Sequence, residues 1–354
     1  IQLDAIGNMN ITPEQIDNGS TDACGIASLS VLPSLFDCSS IGDNTVVLTV
    51  IDNNANVSTI EAIVTVEDII APIAICQDIT VQLDVNGQVN ILASQVDNGS
   101  NDACGIAMMT VFPNTFDCSH VGSNLVTLTI TDNNGNISTC EASVTVEDNV
   151  AAEALCQGLT IQLDDNGEGN ITAEQIDNGS NDACGIASLS LSQYDFDCAH
   201  VGPNTITLTI TDINGNVSTC ESDVIVEDNI APIALSQNIT IQLDASGNMT
   251  ITPEQIDDGS NDACGIASLS VLPNTFDCSN IGDNTVVLTV TDQNANVSTI
   301  EALVTVEDLV APIAICQDIT VQLDENGMLS ITPEQVDNGS SDACGIASLE
   351  ISQI

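Results

Sequence analysis

Lysine and arginine are absent from all 354 residues, against 51 aspartates and glutamates, so the chain carries a formal charge of −51. An ordinary soluble protein is roughly a quarter charged, with both signs present, so cations are excluded here rather than merely scarce. Their absence removes the electrostatic attraction that dominates nucleic-acid binding and disfavours anionic membrane surfaces and phosphate ligands. No nucleic-acid partner is expected; the natural partners are cations. Without lysine there is also no Schiff-base chemistry, no Walker-type phosphate loop and no lysine isopeptide crosslink. Aromatics are scarce as well: five Phe, one Tyr and no Trp. No window approaches the roughly 18 uninterrupted apolar residues of a membrane span, so no membrane insertion of this segment is expected, and the core must be aliphatic.

Apolar residues nevertheless reach 43%. Val, Ile and Leu alternate regularly with Thr, which points to folded strands rather than disorder. Fourteen cysteines in so acidic and repetitive a chain fit disulfides in an oxidising, extracellular compartment better than a metal cluster.

The string "DACGIA" places Cys24, Cys104, Cys184, Cys264 and Cys344 at a constant spacing of 80, with no insertion or deletion. A period of that size exceeds a solenoid or propeller-blade repeat and suits one small autonomous domain per copy. Four pairs lie 14 apart, Cys24 with Cys38, Cys104 with Cys118, Cys184 with Cys198 and Cys264 with Cys278, and these are expected to bridge locally. Cys76, Cys140, Cys156 and Cys220 can pair across 16 residues or across 64. Ser236 and Ile300 occupy the 64-spaced positions of the next copy together, which favours Cys76 with Cys140 and Cys156 with Cys220. Cys316 and Cys344 are then left without partners. This frame sets modules at 71–150, 151–230 and 231–310, with partial modules at 1–70 and 311–354, a window on a longer array. The 231–310 module is expected to be the weakest.

Within a module, "TITLTITD" from Thr205 has the period-two pattern of a half-buried strand. "NISTCEASVTVED" from Asn136 repeats it after the turn signal "NNGN", so the two predict an antiparallel hairpin. "ITVQLDVNGQVNI" from Ile79 predicts a second hairpin around Asp84 to Gly87, and "CGIAMMTVFP" a further strand. Thr252, Pro253 and Glu254 have the order of a helix start. Phe36, Phe116, Phe196 and Phe276, each before "DC", are expected to plug the core. Six or seven short strands per 80 residues predict an all-β fold of tandem immunoglobulin-like β-sandwich modules.

The order "AP-IA-CQ-ITVQLD-NG", then "DACGI", then "TD-NGN-STC-A-VTVED" resembles the hyalin-repeat (HYR-like) branch of immunoglobulin-like modules along the whole chain. Such modules recur in giant surface adhesins of Bacteroidetes. The resemblance implies type IX secretion and display at the cell surface or in a secreted filament. Ser236 and Ile300 depart from its cysteine pattern.

Calcium takes six to eight oxygens from carboxylates, carbonyls and Asn side chains. Each "VED" abuts the next "AP", and the "DNGSxD" and "TDxNGN" loops are rich in such oxygens. Calcium is therefore expected at the junctions or in these loops, although no EF-hand-like spacing is present. The first candidates are Glu147 and Asp148 with Asp132 and Asn134. Their equivalents are Glu67, Asp68, Asp212, Glu227, Asp228, Asp292, Glu307 and Asp308. The second set is Asp97, Asn98 and Asp102. Against both stands the use of Asp, Asn and Gly by any β-turn. His120 and His200 are read as surface residues, since Ser40 and Asn280 occupy the same repeat position. No serine or cysteine has a repeated histidine partner, so no enzyme is expected. Sequons at Asn98, Asn136 and Asn170 can carry glycans. The expected role is an extracellular stalk or filament that extends an adhesin from the cell, with neighbouring copies as candidate partners. The alternative is that the repeats themselves bind a carbohydrate, mineral, ice or another surface.

Overall fold

The computed structural model describes residues 1–352. Two compact units divide the chain. One comprises Ile1–Ala154, Gly179–Leu189 and Thr209–Thr219; the other comprises Leu155–Asn178, Ser190–Leu208 and Cys220–Ile354.

In the copy at 71–150, within the first unit, six strands follow in order: β1 (Ile79–Gln82), β2 (Gln88–Asn90), β3 (Ile106–Phe112), β4 (Thr115–Asp117), β5 (Gly122–Asp132) and β6 (Ile137–Glu147). A one-turn helix, α1 (Ala93–Val96), lies between β2 and β3. The larger sheet has the order β1-β6-β5-β3, with β1 parallel to β6 and the other pairs antiparallel. The smaller sheet is β2-β4. Alternation along β5 and β6 turns Val126, Leu128, Ile130, Ala142, Val144 and Val146 inward, where Phe116 of β4 joins them in one buried cluster. The copy at 231–310, within the second unit, pairs its strands in the same way. The chain is thus a tandem of β-sandwich repeats.

The β5–β6 hairpin follows the predicted turn. The Asp132 carboxylate accepts the N–H groups of Asn134 and Asn136, both at 2.8 Å, and Gly135 takes φ +88°, a conformation that costs glycine least. The predicted hairpin around Asp84 to Gly87 is corrected. Its turn forms, with Gly87 N–H donating to the Asp84 carbonyl at 2.8 Å. The flanking strands then enter different sheets: β1 runs beside β6 and β2 beside β4. The turn is a corner between layers. The helix start at Thr252 opens a helix at Pro253–Ile256, and Phe36, Phe116, Phe196 and Phe276 are all buried.

The cysteine pairing differs most from expectation. Cys76 pairs with Cys140 and Cys156 with Cys220. None of the four local pairs forms. Cys38 instead bridges Cys104, Cys118 bridges Cys184, Cys198 bridges Cys264 and Cys278 bridges Cys344, each across 66 residues. Cys24 is a free, exposed thiol rather than a partner of Cys38, and Cys344, expected to be unpaired, is bridged. The reason is geometric. β3 belongs to the larger sheet and β4 to the smaller, so the segment from Cys104 to Cys118 crosses between layers rather than closing into a local loop. Cys118 instead lies beside the Asp84–Gly87 corner, against which the next copy's Ala183 and Cys184 pack. A Cβ on Gly87 would lie 2.6 Å from Cys118 Sγ and 3.1 Å from Ala183 Cβ. Gly7, Gly167 and Gly247 make the same room beside Cys38, Cys198 and Cys278.

The bridges therefore tie each copy to the next, and the 231–310 copy, with Ser236 and Ile300, has no bridge within itself. A loop of this length closed by a disulfide contributes about 4 kcal/mol in the chain-entropy model.

Turn aspartates recur through the fold. Hydrogen bonds from the Gln88 and Asn86 backbone hold the Asp84 carboxyl below its ordinary value of 3.8. The Ser119 hydroxyl and the His120 ring do the same for Asp117.

Peptide mapping of the unreduced chain after cleavage at acidic residues is expected to recover the four 66-spaced pairs, with two titratable thiols, Cys24 and Cys316. Recovery of 14-spaced pairs would refute the connectivity. Gly87→Ala is expected to cost more than about 1 kcal/mol. It should cost more than Gly135→Ala, whose site also has positive φ but nothing within 4 Å; equal urea midpoints would show that packing against the bridge is unimportant. The depressed aspartates contribute stability present above their unfolded values near 3.8 and lost as pH falls through their folded ones. In about 1 M salt, where self-repulsion is screened beyond roughly 3 Å, the melting temperature should fall steadily below pH 4.

Candidate cation site at the repeat junctions

Each junction forms where the strand that ends one copy meets two loops of the next. Asp68 follows the strand Val57–Val66 and is 8% exposed. Its Oδ1 accepts the Ile70 N–H at 3.0 Å, while its Oδ2 is buried with no hydrogen-bond partner among the described residues. Asn136, in the β5–β6 turn, donates through Nδ2 to the Asp68 carbonyl at 3.1 Å and to Asp132 Oδ2 at 2.8 Å. This pins the turn of one copy onto the exit of the copy before it. Asp102 approaches from the loop ahead of β3, where its Oδ1 accepts the Cys104 N–H at 2.8 Å.

One carboxylate oxygen from each of Asp68 and Asp102 and the sulfur of Cys104 lie within 4.8 Å of one another. The same trio recurs as Asp148, Asp182 and Cys184, as Asp228, Asp262 and Cys264, and as Asp308, Asp342 and Cys344. Each of these cysteines is in a disulfide, so none supplies a thiolate ligand and the donor set is oxygen. Asp148 Oδ2 and Asp228 Oδ2 are buried without partners, as are the Asn134 and Asn214 side-chain oxygens of the junction turns. Two carboxylates this close repel by on the order of 3 kcal/mol at an effective dielectric of about 20, and the chain has no Lys or Arg to pair with them. Buried, unpaired oxygens of one sign suit a hard cation.

The expected ligands divide. Asp68, Asp148, Asp228 and Asp308 enter the clusters. Asp102 belongs with Asp68 and not with Asp97 and Asn98. The Asp97 carboxylate accepts the Ser100 and Gly99 N–H groups, and Asn98 N–H donates to the Ile75 carbonyl. Burial works to raise the Asp97 carboxyl, but the Ser100 hydroxyl and backbone hold it below its ordinary value. Asp132, Asp212 and Asp292 are 1% exposed, and the Asp132 and Asp212 carboxylates are occupied in holding their turns. Asp292 does the same in the fourth copy. Burial again opposes, and Asn136 outweighs it, in holding the Asp132 carboxyl low. Glu147 and Glu227 accept from Gln82 and Gln162 on the neighbouring strand; with Glu67 and Glu307 they lie outside the clusters. Asp182, Asp262 and Asp342 join the clusters beyond the expected set, and their 80-residue spacing from Asp102 is the sequence signal that points to them.

His120 and His200 each bond the aspartate three residues earlier, at 2.8 and 2.7 Å, on the surface. An open cleft lined by Asp164, Glu168, Asn170, Asp195, Phe196 and Asp197 holds carboxylates without a nucleophile–base pair.

No family model matches the chain, and no curated protein matches it. Among solved structures, cadherin domains 1–4 of protocadherin gamma B7 align at 12% identity over 86% of this chain and 98% of that chain, with a TM-score of 0.33. Domains EC1-4 of Drosophila N-cadherin align at 11% identity over 87% and 99%, with a TM-score of 0.29. The human desmocollin-1 ectodomain aligns at 10% identity over 85% and 82%, with a TM-score of 0.25. At such scores the likeness carries no argument about this chain, whose sandwich architecture stands on its own strand pairing.

Proposed function

We propose that the chain is part of an extracellular stalk or filament, built from modules at 71–150, 151–230 and 231–310 with partial ones at 1–70 and 311–354. Its task is to hold something else away from a surface rather than to catalyse. The observation that carries this reading is the set of four bridges, each tying one copy to the next. Bridges between copies brace an array; a string of independent binding modules has no need of them. Six disulfides also fit an oxidising compartment. The outward sheet face varies at Phe112, which corresponds to Leu32, Ser192 and Leu272, but Thr129 recurs as Thr49, Thr209 and Thr289, so the face by itself does not favour the stalk over a surface-binding array. Gold-labelled antibody against the chain, applied to intact cells, should mark positions away from the envelope; labelling only after permeabilisation would refute the proposal.

Calcium at the junctions is the finer part of the reading, supported by the buried unpartnered oxygens of Asp68, Asp148 and Asp228. Asp68 with Asp102, and the equivalent pairs, would hold the ion, which would cancel the repulsion between them. Titration calorimetry is expected to find four sites per chain and three in Asp148→Asn. Saturation at 100 times Kd stabilises by about 2.7 kcal/mol per site. Without calcium, Asp148→Asn should melt higher than the parent, because it removes a buried unpaired charge. A chain whose melting temperature ignores both calcium and chelator would rule the ion out.

A further inference from the structure

The bridges have a mechanical consequence that follows from their connectivity. Cys38 is joined to Cys104, and 14 residues later Cys118 is joined to Cys184. The pattern continues through Cys198 to Cys264 and Cys278 to Cys344. Every 80-residue period therefore divides into 66 residues that a bridge bypasses and 14 that do not. A covalent path runs from one end of the array to the other through the segments 104–118, 184–198 and 264–278 and the four bridges. The segment 104–118 contains β3 and β4. The hairpin β5–β6, strands β1 and β2, and most of the buried core lie in the bypassed loops.

We propose that these four disulfides and the three short segments between them form a load-bearing strap, which carries the covalent tension along the array and caps its length, while the bypassed loops carry none. Force applied at the ends can pull β3 and β4 away from β5 and β2, but it draws no bypassed residue into the contour unless a bridge breaks, so the covalent length is fixed whether or not the cores stay folded. The Cys76–Cys140 and Cys156–Cys220 bridges lie outside this path. Ser236 and Ile300 in the fourth copy then cost the strap nothing, because Cys198–Cys264 and Cys278–Cys344 span that copy without them. The strap depends on connectivity alone and not on where the chain resides.

Single-molecule stretching from the two termini, through handles attached without cysteine, tests it. With the strap intact, 89 of the 353 residue-to-residue steps lie in the tension path. At about 3.5 Å per residue, the fully stretched chain then reaches roughly 330 Å, the bridges included. Full reduction should lengthen it to about 1,240 Å. Local 14-spaced pairing, together with the two 64-spaced bridges, would instead give about 710 Å for the oxidised chain, the bridges included, and that result would overturn the proposal. Cys278→Ala combined with Cys344→Ala should add one extension of about 230 Å for the 66 released residues, because the fourth copy has no second bridge. The oxidised variant stretching no further than the parent would also overturn it. Both readings are contour lengths and hold whether or not a variant folds; they separate the strap from the stalk reading, which cell labelling tests.

Discussion

The structure depends on covalent linkage between copies in a chain that has no other strong way to hold them together. Fifty-one acidic side chains without one lysine or arginine leave neighbouring copies repelling one another, with no salt bridge available across a junction beyond what two histidines could offer. The 66-spaced disulfides meet that constraint. They need little surface to be effective, they do not weaken with salt, and they place their sulfurs against a glycine corner where the backbones of successive copies can approach. Gly7, Gly87, Gly167 and Gly247 are thus part of the bridge, since a methyl group at Gly87 would meet the sulfur.

The same approach creates the electrostatic problem at the junction. By bringing Cys104 to Cys38, the fold also brings Asp102 to Asp68, and it buries one oxygen of Asp68 without a donor. A hydrophobic pair at these positions would be simpler to bury, and a hydrogen-bonded one would leave no orphan oxygen. Bridge and acid pair recur as one unit at all four junctions. At each junction the bridge limits separation, while the paired acids beside it repel; the cation proposed there would act on the same contact by removing that repulsion.

The division of labour among the acids follows from local geometry. Asp84 and Asp132 face backbone N–H groups in tight turns and have become part of those turns. Asp68, Asp148 and Asp228 lie just past a strand end, where Oδ1 accepts the N–H two residues on and Oδ2 meets no donor among the described residues. In a repeat where Asp is the common turn residue, composition alone cannot separate an acid that shapes the backbone from one free to bind an ion.

The 80-residue period, the β5–β6 hairpin, the helix start at Pro253 and the buried Phe116 were legible because each depends on neighbours within a few positions: alternation, a turn dipeptide, a capping order. The exit acids Asp68 and Asp148 were legible as candidates for the same reason, and the loss of Ser236 and Ile300 together pointed to the 64-spaced bridge. Three features were decided by tertiary structure. The Asp84–Gly87 turn has hairpin chemistry, but its strands separate into two sheets because β6 offers β1 a parallel edge. Cys104 and Cys118 are near in sequence, yet the strands between them enter different sheets and each cysteine bridges to a neighbouring copy. Asp102 joins Asp68 rather than Asp97 because the bridge draws its loop to the preceding copy. The sequence by itself determined a tandem all-β repeat, its turns and its excess of acids, since these follow from short-range backbone and side-chain preferences. Which cysteines and which acids meet was decided only by the folded structure, because those contacts form between copies, where spacing along the chain does not measure distance in space.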